Sequence, residues 1–152
     1  MKLSTRSRYG VRLMAALASE YSQKPLFLKD IAAMEEISEK YLSLIVIPLR
    51  ASGLIKSLRG AHGGYALAKD PCEITLYNIV EALKGEICLV RCVKQPATCN
   101  RAAICPTRDT WSILGDKIRE NLNGITLNEL IKLKKEKIKK NAKSVARNKK
   151  KE

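Results

Sequence analysis

Residues 37–68 read ISEKYLSLIVIPLRASGLIKSLRGAHGGYALA, and this stretch decides the fold. Ser38 is an N-cap residue type and opens a helix predicted over 39–52. Tyr41, Leu42, Ile45 and Leu49 recur at helical spacing and form its core stripe. Gly53 suits the position just past the helix end. Pro48 lies inside the helix and deprives the Leu44 carbonyl of its usual donor, so a bend is expected there. LIKS (54–57) then reads as a strand. Arg59-Gly60 and Gly63-Gly64 bracket a turn, and Tyr65 and Leu67 alternate on the return strand. KDIAAMEE (29–36) makes a short helix just upstream, with Ile31 and Ala32 facing inward. Two short helices joined by a tight turn form a helix-turn-helix, and a two-stranded hairpin after it makes a winged helix. The expected class is therefore mainly α with a small β-hairpin wing, carrying a long C-terminal helix for dimerisation.

Outward from this stretch the pattern stays helical. Residues 5–22 place Tyr9, Leu13, Met14, Leu17, Ala18 and Tyr21 on one face, with Arg6, Arg8 and Arg12 near its start. Leu26 to Leu28 suits a short strand. Thr75 caps a helix over 76–84, and Gly85 ends it. Little periodicity follows from Glu86 to Pro106. A helix over 107–122 carries Trp111, Leu114, Ile118 and Leu122, stopped by Asn123-Gly124. Thr126 and Glu129 have the spacing of a capping box for a last helix over 127–140. The Trp111 stripe exceeds what a small core can bury, so a homodimer interface is its expected destination, and a two-fold dimer matches a palindromic operator. The division expected is 1–85 for DNA binding, 86–106 for a cysteine loop, 107–131 for dimerisation and terminal helices, and 132–152 for a basic, partly disordered tail.

The 152 residues carry a formal net charge of +14. Residues 132–152 hold a net of +9, leaving +5 on the remainder. A tail of this kind binds DNA phosphates without reading sequence, or simply keeps the chain in solution. No 18-residue apolar run exists and the first residues are unlike a signal peptide, so a cytoplasmic protein with no membrane partner is expected. There are no paired carboxylates in a helical frame, no Ser/His/Asp or Cys/His set and no C-x-x-C, which speaks against an enzyme. The one histidine, His62, falls in the wing.

Five cysteines occur, three of them in CVKQPATCNRAAIC (92–105). A disulfide is disfavoured in a reducing compartment. Structural zinc usually uses a closer pair than Cys88, Cys92, Cys99 and Cys105 provide. Iron accepts widely spaced thiolates, so an iron–sulfur cluster leads, with a metal-free thiol sensor beside it. Cys72 reads as structural.

The run MKLSTRSRYGVRLMAALA (1–18), the segment 37–85 and the three-cysteine loop together resemble the Rrf-two family of bacterial winged-helix transcription regulators, in its iron–sulfur, IscR-like branch. The resemblance covers about residues 1–131. It implies a dimeric repressor or activator on double-stranded DNA. On that resemblance Ser38, Glu39, Lys40 and Ser43 enter the major groove, with Tyr41 near the backbone and Arg8 and Tyr9 as further DNA-binding candidates. Arg59, with Gly60 and His62, forms the wing tip at the minor groove. Many members carry Glu where this chain has Ser43. Cys92, Cys99 and Cys105 become ligands of a 2Fe-2S or 4Fe-4S cluster. The family's fourth-ligand positions hold Arg108 and Arg8 here, and neither can ligate. Cys88, Asp109, Glu86 or an external thiol or water remain, and some members of the family carry no cluster at all.

Overall fold

The computed structural model describes residues 3–21, 24–60 and 63–148, with side chains described as far as Ala142. Helix α1 (Thr5–Ser19) starts at Ser4, whose hydroxyl accepts the Ser7 N–H at 3.1 Å. This satisfies one of the free donors of the first turn. Helices α2 (Leu28–Glu35) and α3 (Glu39–Ala51) follow. Between them Glu36 adopts the left-handed conformation at φ 51° and the Ile37 N–H returns to the Ala32 carbonyl. α3 closes on Gly53 at φ +69°, with Gly53 N–H to Arg50 O and Leu54 N–H to Leu49 O, the paired bonds of a Schellman end.

The wing consists of β1 (Ile55–Leu58) and β2 (Gly64–Leu67), antiparallel, with Ile55 opposite Leu67 and Leu58 opposite Gly64. Of the strand expected over 26–28, Leu26 alone pairs, bridging to Tyr65, and Leu28 already begins α2. The wing is thereby pinned to the α1–α2 connection. Ser38 precedes α3 as expected, yet its hydroxyl makes no capping bond. α3 runs unbroken through Pro48, and Arg6 Nη2 reaches the carbonyl of Leu44 at 3.5 Å. That carbonyl is the one Pro48 leaves without a backbone donor, so a side chain from α1 takes the vacant role.

Helix α4 (Leu76–Lys84) opens on a complete capping box between Thr75 and Asn78 and closes at Gly85, φ +84°. The segment after it is less featureless than its periodicity suggests. It holds one turn of helix, α5 (Arg91–Lys94), and two short 3-10 turns at Pro96–Thr98 and Ala102–Ile104. α6 (Pro106–Asn123) packs on α4. α7 (Leu127–Asn148) packs on α1 and continues well past Lys140. The chain returns to the body through Leu127 N–H to Ile74 O at 2.9 Å and a bridge between Thr75 and Thr126.

The core draws on Leu13, Met14 and Leu17 of α1, Ile31 of α2, Leu42, Ile45 and Leu49 of α3, Ile79 and Leu83 of α4, and Leu127 and Ile131 of α7. Among the described residues, no side chain between Leu83 and Leu127 belongs to it. Tyr9 and Tyr41, expected inside, sit half-buried at its edge, while Tyr21 is exposed. No helix among the described residues is long and apolar enough to cross a membrane.

Candidate nucleic-acid interface and cysteine segment

The outward face of α3 is polar at its start. Ser38, Glu39, Lys40 and Ser43 are all exposed. The Ser43 hydroxyl donates to the Lys40 carbonyl at 2.7 Å, leaving its lone pairs to accept. Behind this face Tyr9 and Tyr41 meet edge to face, ring centroids 5.7 Å apart. The guanidinium groups of Arg8 and Arg12 lie 5.9 and 5.7 Å from the Tyr9 ring. Arg8 is exposed, while Arg12 is fixed by its ion pair with Glu35. Arg59 and Gly60 are exposed at the wing tip. Gly60 takes φ +106°, and its carbonyl accepts the Gly63 N–H at 2.9 Å, so the tip needs glycine to turn. His62 lies outside the described residues. The other proposed contacts fall on two elements, α3 with the start of α1, and the wing.

The same face of α3 also carries Leu44 and Ile47, 54% and 57% exposed. Reading from sequence assigned no role to them because apolar residues in a helix usually mark core. The signal was nevertheless present: Lys40, Ser43, Leu44 and Ile47 share one helical face by their spacing of three and four. An apolar side chain there suits the methyl group of thymine.

The cysteine segment lies against α6. All five cysteines are free thiols. The Cys88 thiol donates to the Val90 carbonyl at 3.0 Å and lines a cleft of about 460 Å³ with Lys84, Glu86, Ile87 and Trp111. Cys92 is half-buried, and its carbonyl accepts from Arg108 Nε at 3.0 Å. Cys99 is exposed. Cys105 caps α6, and its sulfur shares a hydrogen bond with the Thr107 hydroxyl at 3.1 Å. That bond, with backbone N–H groups of the first turn, holds the Cys105 thiol below its ordinary range. Asp109 is exposed and faces Arg108. Glu86 pairs with Lys94, which keeps its carboxyl below the usual range, and with Arg119 at 3.3 Å. Cys72 sits apart on the Asp70 turn, and the Asp70 carboxylate pushes its thiol up.

Among the described residues, no three side chains of His, Cys, Asp or Glu stand together as a metal site. As placed, the donor set does not fit an iron–sulfur cluster. Cys92, Cys99 and Cys105 lie on successive turns and are not gathered into one group, and the Arg108 guanidinium is bonded to the Cys92 carbonyl.

Comparison with known proteins gives a consistent answer. The sequence model of the Rrf2 family, described as an iron-dependent transcriptional regulator, matches residues 3–133. The protein rrf2 of Nitratidesulfovibrio vulgaris is 40% identical over 132 residues, covering 87% of this chain and 88% of that protein. The structure of CymR, the global cysteine regulator of B. subtilis, superposes with a TM-score of 0.74 at 38% identity, covering 88% of this chain and 98% of that one. The structure of T. potens IscR gives 0.71 at 35% identity and covers 87% of each chain.

Proposed function

The chain belongs to the Rrf2 family of DNA-binding transcription regulators, and from that premise we propose that it acts as a homodimer on a palindromic operator, with the three-cysteine loop in residues 86–106 sensing iron–sulfur or redox status. The observation that carries the DNA-binding part is the outward face of α3. It presents a cation, a carboxylate, a hydroxyl and two apolar side chains within three turns. Lys40 suits guanine O6 and N7, Glu39 the cytosine amino group, and Leu44 a thymine methyl. Arg59 at the wing tip suits the negative potential of a narrow minor groove. Helix α6 supports the dimer: Gly115 is its one buried residue, while Trp111 and Leu114 are 43% and 40% exposed. An apolar face of that size finds its natural cover in a two-fold copy.

Two readings of the sensor stand beside each other. The resemblance to cluster-binding members and the family's description as iron-dependent favour a cluster on Cys92, Cys99 and Cys105, with Cys88 or Asp109 as candidates for a fourth ligand. It requires the segment to fold inward from its present arrangement. A cluster-free regulator answering to a metabolite or thiol state requires no rearrangement, and the similarity to a cysteine regulator favours it.

Loading the protein with iron and sulfide without oxygen separates them. Visible absorption that disappears in Cys92→Ala, Cys99→Ala and Cys105→Ala supports the cluster. Colourless protein with unchanged DNA affinity supports the second reading. For operator binding, selected palindromic duplex should outlast random duplex in gel shifts as salt rises, and Arg59→Ala should weaken it. Equal salt sensitivity for both duplexes would sink the operator reading.

A further inference from the structure

We propose that the part of α7 from Lys134 onward is a DNA clamp that grips the phosphodiester backbone flanking the operator. This rests on the DNA-binding reading and adds a contact surface beyond the part of the chain that matches the family, which ends at residue 133.

Three observations carry it. The first is where the helix leaves the body. Leu127 and Ile131 are buried against the core, but every residue from Lys132 to Ala142 is exposed. At this point Lys134 Nζ lies 3.2 Å from Glu35 Oε1, and Glu35 Oε2 lies 3.0 Å from Arg12 Nε. Glu35 is the last residue of α2, so α7 departs beside the turn that leads into the recognition helix. A docked helix-turn-helix keeps that edge close to the DNA backbone.

The second is charge. Lys132, Lys134, Lys135, Lys137, Lys139 and Lys140 are opposed between 132 and 140 by Glu136 alone. Lys135 and Lys139 are one turn apart on the helix and repel each other, a cost that an anionic neighbour removes. Lysine ammonium groups on flexible stems bind phosphate as point charges and read no bases.

The third is reach. Residues 134–148 are helical. At about 1.5 Å per residue they span roughly 21 Å, which at about 3.4 Å per phosphate covers some six phosphates of one strand. A helix of that length is long enough to follow the backbone beyond the operator bases.

The test uses the full chain with Lys137→Gln, Lys139→Gln and Lys140→Gln combined. Glutamine keeps helix propensity, and circular dichroism confirms that the helix remains. Both proteins are titrated over a salt series with two duplexes, one ending at the operator and one extended by ten base pairs on each side. On the long duplex the slope of log affinity against log salt should fall by about 0.9 for every lysine that touches a phosphate. The difference between the proteins should shrink on the short duplex, and preference for operator over random sequence should persist. Identical slopes and affinities for the two proteins on the long duplex overturn the clamp while leaving operator binding intact. An intact protein that binds no duplex overturns both.

Discussion

Gly64 stands so close to Leu26 that a Cβ on it would lie 2.5 Å from the Leu26 carbonyl oxygen and 2.7 Å from the carbonyl carbon. Its φ is +130°, a region that side chains rarely adopt. The two facts have one cause: the wing is stitched to the α1–α2 connection by Leu26 N–H to Tyr65 O and Tyr65 N–H to Leu26 O, at 2.9 and 2.8 Å. Gly64→Ala must move backbone rather than a flexible side chain. It should lose at least about 2 kcal/mol, from backbone strain and overpacking together. Denaturant unfolding measures this, and a variant as stable as the parent would mean that the wing does not press on Leu26.

Thr75→Ala should cost about 1 kcal/mol. The Thr75 hydroxyl accepts the Asn78 N–H at 3.2 Å, and Asn78 Oδ1 accepts the Thr75 N–H at 2.9 Å. Losing the hydroxyl leaves the Asn78 amide without its cap. Urea midpoints should shift with the slope unchanged, and no shift would show that water replaces the cap at no cost.

The Glu35 carboxylate serves both Arg12 and Lys134, and its side chain is only 12% exposed. Arg12 also donates to the Glu35 backbone carbonyl, which Glu35→Gln retains. The substitution should lower stability by about 1 kcal/mol at low salt, and by less near 1 M salt, where charge interactions are screened. Thermal melts at two salt concentrations report it. A loss that does not shrink with salt would point to packing instead.

The Cys72 thiol is raised by the neighbouring Asp70 carboxylate. A raised thiol pKa leaves less thiolate at pH 8, so alkylation there should be slower than for free cysteine and should gain rate only at higher pH. Asp70→Asn removes the charge and keeps an oxygen for the Cys72 N–H, bonded at 2.8 Å. It should speed alkylation of Cys72 severalfold at pH 8, read by mass spectrometry. An unchanged rate would place the cause elsewhere.

Signals contained in a few neighbouring residues were legible. Thr75 and Thr126 cap their helices, with the Thr126 N–H donating to Glu129 Oε2 at 2.7 Å, and Gly53 and Gly85 end theirs at positive φ. These depend on bonds spanning three to five residues. Relationships between distant residues were not legible. Pro48 announces an orphan carbonyl at Leu44, but nothing in its vicinity announces Arg6 as the donor, 38 positions away. Ser38 has the chemistry of a cap and stands at the N-cap position, yet its hydroxyl makes no capping bond. In the candidate site, Lys40 and Ser43 were readable as polar residues on a helix. Leu44 and Ile47 were not, because only the fold reveals that their side of α3 faces away from the core. The cysteine segment lacks long periodicity because its turns are three or four residues long, too short to repeat.

Leu83 and Leu127 belong to one core, while among the described residues the 43 positions between them contribute nothing to it, and the chain rejoins the body at the start of α4, where Thr126 bridges Thr75. The arrangement is a handle fastened at both ends to a finished vessel. Substitutions within residues 84–126 therefore leave the packing of that core untouched, so the chemistry of this stretch is separable from the folding of the winged helix.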